Sequence, residues 1–282
     1  MKIVFLGYDY TLDIAQRLIA DGHEVMHIFT FPCDGVFAFN NQINEFANHF
    51  EIPISEHKIE SSNIDDLIEQ GCELFLCAGY PHKIPPINNE KIYGVNLHPA
   101  FLPRGRGIMP LPYIIMNDNK AAGFTLHKLS SDFDSGDIIY QEAIEIDEQT
   151  DVEILSAKIA VRAPDVISDI VGDIEGYWSK ALAQNNADAS SYLAPSEEMR
   201  TLNWENTAKE LRLKGRAFGR FGMIAVVENN MGDKQKLAVF NFATWEDTHK
   251  HITGTLLRSS PREIIITIKD GYICLKEFQV IE

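Results

Sequence analysis

Lys2–Leu6 is a short apolar run closed by Gly7, the pattern of a strand buried on both faces. Residues 11–20 then repeat apolar positions at helical spacing, with Leu12, Ala15, Leu18 and Ile19 on one face, and Asp21-Gly22 ends the run. Glu24–Phe29 reads as the next strand, so the chain opens as a βαβ unit. The pattern continues as a helix over 42–49, a short strand over 52–54, a helix over 64–69 and a strand at Leu74–Ala78. Residues 95–98 look like the end of a buried strand, which Pro99 and Pro103 stop because each lacks a backbone donor. A helix over 109–117, paired strands over 123–129 and 137–143, and a long helix over 152–174 follow. Residues 187–196 (ADASSYLAPS) are a linker by composition. Beyond them Asn206 or Glu205 caps a helix running to Ala217. Five short strands then occupy 222–228, 236–242, 254–258, 263–267 and 272–280, with Asn229-Asn230 and Asp270-Gly271 at turns. Five short strands so spaced suggest a small open barrel of the OB type.

Within this pattern the stretch 94–140 carries most of the chemistry. Side chains two apart on a strand share a face, so Asn96 and His98 point the same way at the mouth of a sheet. A Gly/Arg loop follows them, and the acidic loop 130–136 carries Asp132 and Asp134. An amide, an imidazole and a carboxylate can converge there. The spacing Asn96-x-His98-Pro99, then Leu102-Pro103-x-x-Arg106-Gly107, then Leu126-His127 and Asp134-Ser135-Gly136-Asp137-Ile138-Ile139, resembles the folate-dependent formyltransferases. That family includes enzymes acting on glycinamide ribonucleotide, methionyl-tRNA and nucleotide-linked amino sugars. Residues 199–212 (MRTLNWENTAKELR) resemble the start of the C-terminal domain of methionyl-tRNA formyltransferase.

The resemblance implies a Rossmann-like, mostly parallel α/β formyltransferase domain over 1–186, a linker over 187–198 and an OB-like domain over 199–282. It implies N10-formyltetrahydrofolate as co-substrate and Asn96, His98 and Asp134 as the catalytic set, with Asp132 the near competitor. By analogy Tyr80, His82 and Ile84 lie on a loop that wraps the pterin, and Asp132 is a further cofactor candidate. Arg104 and Arg106, interleaved with Gly105 and Gly107 ahead of Met109, are either solvated loop charges or the cations for a substrate diphosphate. An isolated Asn-x-His pair is more often structural than catalytic, and His127 reads first as a packing or supporting residue.

Composition narrows the acceptor. The chain of 282 residues is 45% hydrophobic and 23% charged, the balance of an ordinary soluble domain pair. Its formal net charge of −16 is unevenly placed: residues 200–282 hold 13 Lys/Arg and 10 Asp/Glu, whereas residues 1–199 hold 12 and 31. So acidic an N-terminal region repels a nucleic-acid backbone. The segment 30–44 has no Lys or Arg, where tRNA-directed members of the family carry a basic insertion. Phe31, Phe37, Phe39 and Asn41 there either line a small-molecule pocket or simply pack the loop down. The first βα turn, Gly-Tyr-Asp-Tyr-Thr-Leu, lacks G-x-G-x-x-G, which argues against a dinucleotide site. Cys33, Cys72, Cys77 and Cys274 show no paired spacing and read as thiols in a reducing compartment. His249-x-His251 reads as surface, and no metal site is expected. No apolar stretch approaches a membrane span, so a cytoplasmic protein is the expectation.

The leading expectation is therefore an N-formyltransferase for a dTDP- or UDP-linked 4-amino-4,6-dideoxyhexose, of the kind that feeds surface glycans. The basic run Lys209, Arg212, Lys214, Arg216 and Arg220 keeps a methionyl-tRNA formyltransferase as the alternative. A catalytically silent folate- or ligand-binding module is the reading from a different class. The barrel suits a homodimer contact, a second nucleotide site or plain support.

Overall fold

The computed structural model describes residues 1–33, 35, 38–228 and 232–281. Phe37 and the Asn229-Asn230 turn lie outside the described residues. The chain forms two compact units, one of residues 1–110, 120–146 and 155–192, the other of residues 111–119, 147–154 and 193–282.

The first unit is built on seven strands: β1 (Lys2–Leu6), β2 (Glu24–Phe29), β3 (Ile54–Ser55), β4 (Leu74–Ala78), β5 (Tyr93–His98), β6 (Gly123–Lys128) and β7 (Ile138–Ala143). Their order is β3-β2-β1-β4-β5-β6-β7. The first five are parallel, and β6 and β7 add an antiparallel edge. Helices α1 (Leu12–Ala20), α2 (Asn41–His49) and α3 (Ser61–Glu69) join the parallel strands, giving the expected Rossmann-like sheet.

Burial explains why these segments take these forms. All five residues of β4 (LFLCA) are buried, as a central parallel strand demands. On α1 the buried face is Leu12, Ile14, Ala15 and Leu18. Val4, Leu6, Phe29, Ile59, Ile64, Phe75 and Tyr80 pack into one cluster, where each large side chain contributes ~1.5–3 kcal/mol by leaving water. The start of α2 is held from a distance. Asp9, in the turn after β1, accepts hydrogen bonds from the backbone N–H groups of Gln42 (3.1 Å) and Ile43 (2.8 Å). A carboxylate there satisfies free donors and complements the helix dipole.

α4 (Pro110–Asn117) falls almost wholly in the second unit. The long helix expected over 152–174 is two: α5 (Val152–Gly172) stops, and Asp173 caps a new helix, α6 (Ile174–Ser179), through Gly176 N–H. In the second unit α7 (Glu197–Arg200) precedes α8 (Ala208–Phe218). Thr207, rather than Asn206 or Glu205, caps α8, because its hydroxyl reaches Glu210 N–H while the Glu210 carboxylate returns to Thr207 N–H. Five antiparallel strands follow, β8 (Met223–Glu228), β9 (Lys234–Glu246), β10 (Leu256–Ser259), β11 (Ile264–Ile268) and β12 (Gly271–Val280), in the order β10-β11-β12-β9-β8. Register shifts in β12 between Leu275 and Phe278 bend this OB-like sheet.

The order of the parallel strands reverses between β1 and β4, and the carboxyl ends of β1, β4 and β5 share one edge. Doubly wound sheets bind ligands at such a place.

Candidate active site

β5 ends at that edge with Asn96 half-buried and His98 buried, two residues apart on one face. Antiparallel pairing sets Asn96 directly opposite His127 on β6, and Asn96 Nδ2 lies 3.0 Å from His127 Nε2. The contact thus follows from strand register. After Pro99 the chain turns through a loop in which Gly105 and Gly107 take φ of +79° and +108°. A Cβ on Gly107 would lie 2.1 Å from the Tyr192 carbonyl oxygen, so only glycine fits.

The loop 130–136 brings in the carboxylate. Ser130 and Ser135 hydroxyls both donate to the Asp132 carbonyl, which shapes the turn and leaves the Asp132 side chain exposed. Asp134 is buried, at φ +54°, a conformation costing on the order of 1 kcal/mol outside glycine. Its Oδ1 stands 3.3 Å from Asn96 Nδ2, 3.4 Å from His98 Nδ1 and 3.5 Å from His127 Nε2. Its Oδ2 accepts from Gly107 N–H at 2.8 Å. Asn96 and His98 from β5 and His127 from β6 therefore meet at one carboxylate.

Protons on the rings follow from their partners. His98 Nε2 is 2.7 Å from the Gly105 carbonyl, which can only accept, so the neutral ring carries its proton there and turns a lone pair at Nδ1 toward Asp134. A separation of 3.4 Å, longer than a charge-assisted hydrogen bond, agrees with that. The Lys128 carbonyl, 2.8 Å from His127 Nδ1, can only accept and so places a proton on Nδ1, while Nε2 stands 3.0 Å from Asn96 Nδ2 and 3.5 Å from Asp134 Oδ1. Asn96 Nδ2 thereby faces His127 and Asp134. Burial pushes the His98 imidazole below its ordinary value, partly offset by Asp134 and the Gly105 carbonyl. Burial alone would raise the Asp134 carboxyl, but His127, His98 and Gly107 N–H outweigh it, and it lies below the usual range. The resting site is a carboxylate beside a neutral imidazole.

Residues 33–171 match the formyl transferase family, and residues 196–282 match the formyl transferase C-terminal domain. The chain belongs to the formyl transferase family. Among named relatives, methionyl-tRNA formyltransferase of Streptococcus suis is 26% identical over 294 residues, covering 99% of this chain and 90% of that protein. Among solved structures, a multiply substituted variant of HypX from Aquifex aeolicus is similar with a TM-score of 0.71 at 18% identity. That match takes in 99% of this chain, which spans 45% of the HypX chain. WlaRD, a sugar 3N-formyl transferase crystallised in the presence of dTDP and 5-N-formyl-THF, is similar with a TM-score of 0.66 at 18% identity, covering 98% of this chain and 97% of that one.

The other residues singled out in this formyl transferase sequence fall on two loops. Tyr80 is buried; its hydroxyl accepts from Ile59 N–H at 3.1 Å, and Ile84 packs on the same core. The His82 ring stands edge-on to Tyr80 at 5.2 Å. Among the described residues no hydrogen bond holds the backbone of His82, Lys83 or Ile84, so this loop beyond β4 offers main-chain donors and acceptors rather than the Tyr80 or Ile84 side chains. Arg104 and Met109 are half-buried. Gly105 gives its carbonyl to His98, and Arg106 donates to Gln184 and Asn186. Pattern reading passed over Gln184, whose amide also reaches the carbonyls of Asp134 and Gly136; His127, read first as a packing or supporting residue, touches Asn96 directly. The pairing of two adjacent antiparallel strands held the only signal for His127; nothing local marked Gln184. Among the described residues no cluster of three or more His, Cys, Asp or Glu is placed to hold a metal ion, and no helix is long and apolar enough to cross a membrane. The four cysteines are free thiols, and burial pushes Cys72 up to about 11 and Cys77 up to about 12.

Proposed function

We propose that this formyl transferase moves a formyl group from N10-formyltetrahydrofolate to the primary amine of a nucleotide-linked amino sugar, of the dTDP- or UDP-amino-dideoxyhexose type, for surface glycan synthesis. The observation that carries the reading is the convergence of Asn96, His98 and Asp134 at the carboxyl edge of the parallel strands. The residues present fit the folate: a buried donor–acceptor set beside a loop with uncommitted backbone groups at residues 82–84.

When bound, the folate supplies an electrophilic formyl carbon and a nitrogen leaving group. His98 Nδ1 holds a lone pair that would take the proton released by the attacking amine and return it to the departing folate nitrogen as the old C–N bond breaks, with Asp134 stabilising the imidazolium in between. Asn96 exchanges one of its N–H contacts, to His127 or to Asp134, for the oxygen on which negative charge develops. Gly107 N–H keeps the Asp134 carboxylate ionised and aimed.

Three observations support a small acceptor. Tyr8 and Phe31, following β1 and β2, have ring centroids 5.5 Å apart, and Tyr10 stacks on Tyr8 at 6.1 Å. Aromatic faces suit a nucleobase or a deoxysugar. The segment 30–44 lacks any cation, and WlaRD, similar along its whole length, is a sugar enzyme by name. The second reading, methionyl-tRNA as acceptor, is favoured by the Streptococcus suis relative and by the positive balance of residues 200–282.

A coupled assay with 10-formyltetrahydrofolate and a panel of dTDP- and UDP-linked 3-amino and 4-amino sugars tests the choice. Turnover of one sugar that changes little between ~50 and ~200 mM salt supports the proposal. Turnover confined to methionyl-tRNA, with binding that collapses by orders of magnitude over that range, overturns it.

A further inference from the structure

The segment 182–192 is the strap on which the site is assembled. Leu182 exchanges two backbone hydrogen bonds with Ile138 at the start of β7. Gln184 Nε2 donates to the carbonyls of Asp134 and Gly136, both at 2.8 Å, and its Oε1 accepts from Arg106 Nε at 3.1 Å and Nη2 at 2.7 Å. The orientation of this amide is forced, since two carbonyls can only accept and a guanidinium can only donate. Asn186 takes a further bond from Arg106 Nη2 at 2.8 Å. Ser190 accepts from Arg106 N–H through its carbonyl and from Gly105 N–H through its hydroxyl, and Tyr192 N–H donates to the Arg106 carbonyl.

We infer that Gln184 is a positioning residue for formyl transfer, a bracket that holds the Asp134 backbone in its left-handed conformation and ties it to Arg106. This rests on the reading given above for the reaction. Asp134 at φ +54° needs outside restraint, because a strained conformation persists only where its surroundings over-determine it. Gly136 supplies one restraint: a Cβ there would meet the Lys128 carbonyl oxygen at 1.9 Å, so the loop returns flush against β6. Gln184 supplies the other, gripping the carbonyls of the two residues that flank Ser135. The same amide fixes the Arg106 guanidinium, and the next residue, Gly107, gives its N–H to Asp134 Oδ2. Both carbonyl-side and carboxylate-side contacts of Asp134 thus depend on one side chain.

The bracket gives Arg106 a role distinct from binding a diphosphate. An arginine that contacts substrate changes KM; an arginine that acts through Gln184 changes kcat. Gln184→Glu is the informative variant, since it keeps an oxygen acceptor for Arg106, now as an ion pair, but turns its other oxygen toward two carbonyls. Expected results are a fall in kcat of ~10–100-fold for Gln184→Glu and Arg106→Ala, with acceptor KM within ~2-fold of the parent. The Gln184→Ala/Arg106→Ala double variant should lose no more than the worse single one. Leu182→Ser, a change of an exposed side chain on the same strap, serves as the control. Hydrogen exchange of the Gly107 amide is the readout that needs no turnover: its protection should fall at least ~10-fold in Gln184→Glu, with the amides of β4 unchanged. Retained Gly107 protection together with unchanged kcat, or an effect of Arg106→Ala on KM alone, overturns the bracket. A parent protein that formylates nothing, while Gly107 still loses protection in Gln184→Glu, leaves the bracket standing and removes the reaction assigned to it.

Discussion

His98 Nδ1 faces Asp134 Oδ1 at 3.4 Å, with the two side chains 5% and 9% exposed. No proton lies between them while the ring is neutral, because the Gly105 carbonyl claims the one on Nε2. The pair is therefore arranged to receive a proton, and the carboxylate answers the charge that burial resists.

Replacing either partner should remove that response. His98→Asn and Asp134→Asn are expected to lower turnover by roughly 10²–10⁴-fold, the span of a positioned general base. Steady-state formylation with circular dichroism as the folding control checks this; near-parent turnover in a folded variant rejects the assignment.

The acid limb of the rate profile follows from the same geometry. His98 acts as a base only when neutral, and burial lowers its pKa below that of a free imidazole, ~6.5. The rate should therefore hold as pH falls through ~6.5 and drop only at lower pH. A log kcat profile between pH 5 and 8 reads this, and a limb centred above ~6.5 contradicts it.

Stability should respond to acid in two stages. His98 is neutral in the folded state where the unfolded chain is already charged, so folding stability declines as pH drops below ~6.5. Asp134 is ionised in the folded state where the unfolded chain is protonated, so a second decline begins below ~3.9. In urea unfolding across this range, His98→Asn should flatten the first stage and Asp134→Asn the second.

Gly136→Ala places a methyl group 1.9 Å from the Lys128 carbonyl oxygen. The backbone must shift, at a cost of about 1–3 kcal/mol, and Asp134 must move with it. Thermal unfolding should show a lowered Tm, and formylation should fall beyond the change in folded fraction.

The second unit offers an independent check on its own helix. Thr207→Ala removes the hydroxyl that accepts from Glu210 N–H at the start of α8. A loss of about 1 kcal/mol is expected in urea unfolding, and Thr207→Ser should recover most of it.

Much of this architecture was legible in the sequence. The apolar run of β4, the helical spacing of α1 and the five strands of the OB-like sheet each announce themselves locally, because period and burial are written residue by residue. The pairing of Asn96 with His98 on one face needed only the two-residue repeat of a strand. The choice of Asp134 over Asp132 was named from the formyltransferase resemblance. The geometry then buries Asp134 against both histidines and leaves Asp132 exposed. Helix ends were less legible: Thr207 and Asp173 take the caps because their side chains reach free N–H groups, a matter of dihedral angles rather than residue type.

What the sequence by itself determined is the order of elements and the identity of the groups that can do chemistry. What only the tertiary structure decided is who touches whom: His127 on Asn96, Gly107 N–H on Asp134, and Gln184 between Arg106 and the Asp134 loop, across 78 and 50 residues of chain. Local pattern records the periodicity of a segment with respect to its own axis. A hydrogen bond between segments depends on register, on a left-handed turn at Asp134 and on the return of the strap over 182–192, and none of these leaves a periodic trace.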